Sequence, residues 1–298
     1  MDDIFATPLQ SGRLIQTRIA IVGLGLMGGS LAMALQGRCA ALLGVDPDEE
    51  TRALAVELGI VEQASSHPGE ILPQADMVIL AAPVGAILEL LANLPHLHPG
   101  PAIVMDLGST KTRIVEAMQA LPERFDPLGG HPMCGKENTS LRHAEAGLFQ
   151  GAPFALTPLV RTSAGARALA GELVVATGAH TVWLDPTSHD QWTARTSHFP
   201  YLVACLLASI TPSVAAPLVG PGFRSTTRVA GTSPSVMLDI LLTNRDELLA
   251  ALADFQLELE RLEGYLAGAA STELQQLLEA GRQRRQELLD QAEKGKGR

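Results

Sequence analysis

Apolar residues in the first two-thirds of the chain fall in short runs, whereas those of the last third recur at helical spacing. Residues 18–22, 41–45, 77–81, 102–105 and 125–128 predict β-strands, and 154–156 and 181–184 predict two further strands toward a sheet edge. Between them Leu31, Ala32, Ala34 and Leu35 continue as a helix, and 111–120 and 165–176 carry helical patterns. From Pro186 onward the pattern is helix after helix: 188–209 with a break near Pro200, a short piece at 223–229, then 235–266. A charged amphipathic stretch, 273–292, follows. This succession predicts an α/β chain: a mostly parallel sheet domain over residues 18–185, then an all-helical domain over 186–298. Residues 1–17 have no usable period and read as an N-terminal extension.

Composition narrows the partners. The 298 residues suffice for two domains, and a hydrophobic share of 46% can fill their cores. With 32 Asp and Glu against 22 Lys and Arg, the chain repels phosphate backbones, and 4% aromatics leave few rings to stack bases, so nucleic acid is not an expected partner. Cys39, Cys134 and Cys205 lack CxxC spacing, which argues against a disulfide framework or thiolate zinc site and fits a reducing cytoplasm. The acidic start differs from a secretory signal, and the apolar stretch at 199–210 is shorter than the ~18 residues of a membrane span. Its apolar positions, with those of 236–266, exceed what one thin sheet domain can cover and predict a homodimer.

The first strand runs into Gly23-Leu24-Gly25-Leu26-Met27-Gly28, which opens the first helix. The second strand ends on Asp46, near the ~20-residue offset of an acid that grips an adenosine ribose. Glycines alone are a weak signal; strand, turn, helix and acid together predict a Rossmann-type dinucleotide site, with pyrophosphate at the helix N-terminus. Asp46 can accept from both ribose hydroxyls and, with Asp48, Glu49 and Glu50, would repel a 2′-phosphate, so NAD is favoured over NADP. Arg52 is the nearby cation that argues the other way. Ala82-Pro83 ends another strand, where the chain leaves the sheet beside the cofactor.

Asp106-Leu107-Gly108-Ser109-Thr110-Lys111 follows a strand, and Ser109 there is either the cap of the 111–120 helix or a hydroxyl facing a ligand. In Gly129-Gly130-His131-Pro132-Met133 a histidine is held between glycines and a proline, as a turn residue with a buried imidazole or as a general base. His198 precedes Phe199-Pro200, where the helix must be disturbed, and serves a pocket or packing. His189 lies nine residues earlier, about 900° of straight helix away and thus on the opposite face. Arg224 and Arg228, four apart, share a face if helical and suit carboxylates, or are a surface pair. His96 and His98 flank prolines in an expected loop; these, with His67, His143 and His180, read as surface or core histidines, and no His, Asp and Glu set has metal spacing.

In this order the glycine motif, Asp106 to Lys111, Gly129 to Met133, Ser197-His198-Phe199-Pro200 and Gly222-Phe223-Arg224 to Arg228 resemble the prephenate and arogenate dehydrogenases of tyrosine biosynthesis, over residues 18–267. The resemblance implies hydride transfer from a cyclohexadienol to NAD with loss of the ring carboxylate, from prephenate or, alternatively, arogenate. It implies that His131 accepts the hydrogen bond and then the proton of the ring 4-hydroxyl, with Ser109 positioning it. His198 and Arg228 would hold substrate, Arg228 on a carboxylate, while Arg224 and Glu137 join an ionic network at the pocket mouth. Lys136 and Tyr201 depart from the residues relatives often carry and bear on whether the side chain is pyruvyl or alanyl. The chemistry needs neither a metal nor a Schiff-base lysine, because the oxidised ring is itself the electron sink. A β-hydroxyacid dehydrogenase would carry lysine on the first interdomain helix, and 188–209 has none; an NAD-sensing regulatory protein need not keep Ser109, His131 and Arg228 together.

Overall fold

The computed structural model describes residues 12–136, 138 and 140–295. The sheet half contains β1 (Arg18–Val22), α1 (Leu26–Leu35), β2 (Ala41–Val45), α2 (Glu49–Glu57), β3 (Gln63–Ser65), α3 (Pro68–Ile71), β4 (Met77–Leu80), α4 (Val84–Leu97), β5 (Ala102–Asp106) and α5 (Thr112–Gln119). It continues with β6 (Phe125–Pro132), β7 (Pro153–Pro158), α6 (Ala164–Ala176) and β8 (His180–Trp183). Among the described residues these strands form one sheet in the order β3-β2-β1-β4-β5-β6-β7-β8. All neighbours are parallel except β6 and β7, which run antiparallel. The order reverses between β1 and β4, so their carboxyl ends flank the crevice where such sheets bind ligands.

The strands lack polar alternation because both faces are covered. In β1, Ile19 and Ile21 enter one core with Leu31, Leu35 and Phe154, while Ala20 and Val22 enter a second with Ile87, Leu91 and Ile114. Tyr201, Met237 and Ile240 join the second core, which therefore ties the helical half to the sheet.

The helical half comprises α7 (Pro186–Thr193), a π-helical turn (Ala194–His198), α8 (Phe199–Ile210), α9 (Pro221–Thr227), α10 (Pro234–Thr243), α11 (Arg245–Ala267) and α12 (Ser271–Gly295). The break expected at Pro200 is this π turn: the proline sits in the first turn of α8, and the widened turn before it absorbs the lost N–H and the ring. Asn244, at φ −114° and ψ 27°, splits the expected 235–266 helix in two.

Three local expectations are corrected. His131 lies within β6, opposite Ala155 of β7, and not in a turn. Pro95 and His96 sit in the last turn of α4 and not in a loop. Leu14, assigned to the extension, is buried in the first core, and its N–H donates to Glu172 Oε2 of α6 at 3.0 Å; residues 1–11 lie outside the described residues. The helical half leaves Leu206, Ile210, Leu242, Leu257 and Leu266 exposed, and α12 buries none of its residues. No helix of the described residues is long and apolar enough to cross a membrane.

Candidate active site

The motif from Gly23 to Gly28 closes the gap between β1 and α1 at the crevice. Gly23 has φ +96°, and a Cβ on it would lie 2.4 Å from the Ala81 carbonyl oxygen; a Cβ on Gly28 would lie 1.9 Å from that of Gly23. The backbone therefore approaches itself more closely than any side chain allows. Leu24 and Leu26 point into protein and are buried, Met27 packs against the first core, and Gly25 caps α1 without a side chain. No capping group competes with an anion for the N–H groups at this helix start.

Asp46, largely buried at the end of β2, accepts the Leu24 N–H at Oδ2 (2.8 Å) and the Asp48 N–H at Oδ1 (2.9 Å). Each oxygen keeps a lone pair, so Asp46 can brace the glycine turn and still receive ribose hydroxyls. Asp48 caps α2 by accepting the Thr51 N–H at 2.8 Å. Arg52 donates through Nη1 to the carbonyls of Asp46 and Pro47, both at 2.8 Å, which ties this cation to the loop's own backbone. Across the crevice, Ala82 is half-buried and Pro83 is the exposed residue that starts α4.

Beside this crevice, the ends of β5 and β6 are clamped together. Asp106 and Lys111 are fully buried and form an ion pair. The Asp106 carboxylate also accepts the N–H groups of Gly108 (2.7 Å) and Gly130 (3.1 Å), and Lys111 Nζ donates to the Gly130 carbonyl at 2.7 Å. Burial raises the Asp106 pKa and lowers that of Lys111, and their mutual attraction opposes both shifts. The clamp ends one residue before His131. Gly130 permits it, because a Cβ there would lie 2.7 Å from the Asp106 carbonyl oxygen.

Ser109 is half-buried in the loop after β5 and does not cap α5. The N–H groups of Lys111 and Thr112 donate instead to the Asp190 carboxylate, at 2.7 and 2.8 Å, from the helical half. His189 Nδ1 lies 2.8 Å from Asp190 Oδ1, and His189 Nε2 lies 2.9 Å from His131 Nδ1. Asn244 Nδ2 donates to the Asp190 carbonyl at 2.8 Å and lies 3.0 Å from His198 Nδ1. The π turn alters the rotation between His189 and His198, so residues that a straight helix sets on opposite faces join one network.

Burial, reinforced by His189, Lys111 and His198, holds His131 well below the ordinary imidazole range, although its side chain retains partial access to solvent. Burial also pushes His198 down to about 4, with Asp190 opposing and His189 adding to the shift. For Asp190 burial acts upward, but hydrogen bonds from His189, Thr112 and Lys111 outweigh it and keep the carboxyl below its usual range. The site thus holds two neutral imidazoles and an ionised carboxylate near neutral pH.

Arg224 is exposed on α9; Arg228 is exposed in the 3-10 turn that follows, so the helix ends between them. Glu137 lies outside the described residues. Lys136 pairs with Glu145 at 2.9 Å on the surface, and Tyr201 is buried in the second core. Among the described residues no cluster of three or more His, Cys, Asp or Glu could hold a metal ion. An open groove of about 710 Å³, lined by Asp76, Arg124, Asp126 and Arg161 among others, lies at the opposite, amino-terminal ends of β5 and β6 and contains none of the network. Sequence reasoning missed Asp106, Lys111, His189, Asp190 and Asn244; the available signals were an acid ending a strand and adjacent His and Asp beginning the first interdomain helix.

A glycine turn at the sheet's switch point, beside a histidine network completed by a helical half, defines a nucleotide-binding oxidoreductase of the two-domain dehydrogenase class. The chain belongs to the prephenate dehydrogenase family: residues 31–183 match that family's nucleotide-binding domain and residues 185–280 its dimerization domain. It is 34% identical over 259 residues to the prephenate dehydrogenase of Bacillus subtilis (strain 168), covering 83% of this chain and 70% of that one. Its structure is similar to that of prephenate dehydrogenase from A. aeolicus in complex with hydroxyphenyl propionate and NAD+, with a TM-score of 0.85 and 29% identity over 93% of this chain and 100% of that one. It is also similar to Synechocystis arogenate dehydrogenase, with a TM-score of 0.79 and 32% identity over 91% of this chain and 99% of that one.

Proposed function

We propose that the chain is an NAD-dependent prephenate dehydrogenase, converting prephenate to 4-hydroxyphenylpyruvate and carbon dioxide as a cytoplasmic homodimer. The observation that carries this reading is His131, neutral and partly accessible, on the strand end beside the nucleotide crevice and linked to His189 and Asp190. NAD fits the residues present: the glycine cradle would be filled by any Cβ, the start of α1 has no capping side chain, and Asp46 keeps lone pairs for a ribose. When bound, NAD supplies the acceptor for the substrate's hydride.

His131 receives the hydrogen bond of the ring 4-hydroxyl. As hydride leaves the carbinol carbon, the O–H electrons close the carbonyl and the proton passes to His131. The electrons of the bond to the ring carboxylate then flow into the ring, carbon dioxide departs, and the phenol oxygen takes a proton back. Ser109, from the neighbouring strand end, positions the hydroxyl. His198 accepts the Asn244 amide at Nδ1, which leaves its Nε2–H to donate to substrate. Arg228 binds a carboxylate, and Arg224 serves the ionic mouth of the pocket.

Oxidation of arogenate is the second reading, favoured by the likeness to Synechocystis arogenate dehydrogenase. NADH formation measured with each substrate decides between them: turnover of prephenate well above that of arogenate is expected, and no turnover of either sinks the proposal. Sedimentation should give a dimer at micromolar protein, since the exposed leucines of α8, α10 and α11 need a cover.

A further inference from the structure

We propose that His189 and Asp190 set the tautomer of His131 and are therefore positioning residues for proton transfer, an inference that rests on His131 being the proton acceptor. An ionised carboxylate can only accept. Asp190 Oδ1 faces the Lys111 N–H and His189 Nδ1, so a His189 ring with a single proton carries it on Nδ1. His189 Nε2 then carries a lone pair directed at His131 Nδ1, 2.9 Å away, and His131 must donate there. The free lone pair of His131 falls on Nε2, where a substrate hydroxyl can use it.

Without the carboxylate the polarity of the chain can reverse: His189 would donate from Nε2, and His131 would present Nε2–H to the substrate, a donor where an acceptor is needed. The lock also spans the two halves of the protein. Asp190 belongs to α7 of the helical half, yet its carboxylate is held by the first N–H groups of α5 in the sheet half. Docking of the two halves and the choice of His131 tautomer are thereby one event. The other groups facing His131 act with the lock: Lys111 and His198 disfavour a second proton on the ring, and Asp106 holds Lys111 in place.

Nitrogen NMR of protein carrying 15N-histidine, near neutral pH, reads which ring nitrogen bears the proton; the His131 signals are those lost in His131→Asn. Both His131 and His189 are expected as Nδ1–H forms, and His131 found as the Nε2–H form overturns the proposal. In kinetics, Asp190→Asn should lower kcat by ~10² to 10⁴ with substrate KM changed only a few-fold, as expected for loss of a tautomer-fixing carboxylate. His189→Gln, whose amide oxygen can still accept from His131, should retain more kcat than His189→Leu, and both should displace the acid limb of the kcat profile. If Asp190→Asn and His189→Leu keep wild-type kcat and acid limb while His131→Asn loses both, the tautomer lock fails and the base assignment stands. If His131→Asn itself keeps them, both fall. Should Asp190→Asn fail to fold, the wild-type spectrum still decides.

Discussion

Acidification through the histidine range should destabilise this fold, and His198→Asn should remove a measurable share of that effect. His198 is 2% exposed, and burial pushes its pKa down to about 4. In the unfolded chain it titrates near the ordinary ~6.5, so below that pH the unfolded state holds one more proton than the folded state. Stability is then fully present above ~6.5 and lost as pH falls toward the folded value. From about pH 7.5 to about pH 5 the loss from His198 alone is about 2 kcal/mol, and it levels off near pH 4. His131, also shifted down, acts in the same direction. Asparagine keeps an oxygen that can accept the Asn244 amide in place of His198 Nδ1 but takes no proton. Guanidinium titrations at several pH values give the free energy of unfolding, at fixed protein concentration because a dimer's apparent stability depends on it. Between about pH 6 and about pH 5, the variant's slope should be shallower by about 1 kcal/mol per pH unit. Equal slopes for the two proteins would refute the reasoning.

Gly28→Ala places a methyl 1.9 Å from the Gly23 carbonyl oxygen, so the turn cannot close, and NADH titration by fluorescence should show affinity weakened at least ~10-fold. Asp46→Ser removes a charge that repels a 2′-phosphate and shortens the brace on Leu24; the ratio of kcat/KM for NAD over NADP should shrink or invert, and an unchanged ratio would misplace the ribose. His131→Asn should mainly lower kcat, by ~10² to 10⁴, while Arg228→Lys should mainly raise KM for prephenate. Steady-state kinetics across pH separates these defects, since only the first should abolish the acid limb.

Local sequence accounts for much of this molecule because much of it is local physics. A run such as Ile19-Ala20-Ile21-Val22 is apolar at every position since both sheet faces are covered, and a glycine turn between strand and helix serves the backbone within a few residues. The strands and the glycine turn from Gly23 to Gly28 were legible for that reason. The capping role offered for Ser109 failed because a carboxylate 79 residues from Lys111 receives the helix N–H groups, and an ionised acceptor is stronger there than a hydroxyl. Lys111 lies fully in the interior, where Asp106 and the Gly130 carbonyl surround it, and only the pairing of β5 with β6 brings that carbonyl to it. Helical period set His189 and His198 on opposite faces, and one π turn, forced on the chain near Pro200, brought them into one network. Asp190, His189 and Asn244 acquire their roles from groups on other elements, and no periodicity along the chain encodes which carboxylate meets which helix end. The strands and the cofactor turn are therefore written in neighbouring residues, whereas the electrostatics that keep His131 neutral arise where α5, β6, α7 and the start of α11 converge.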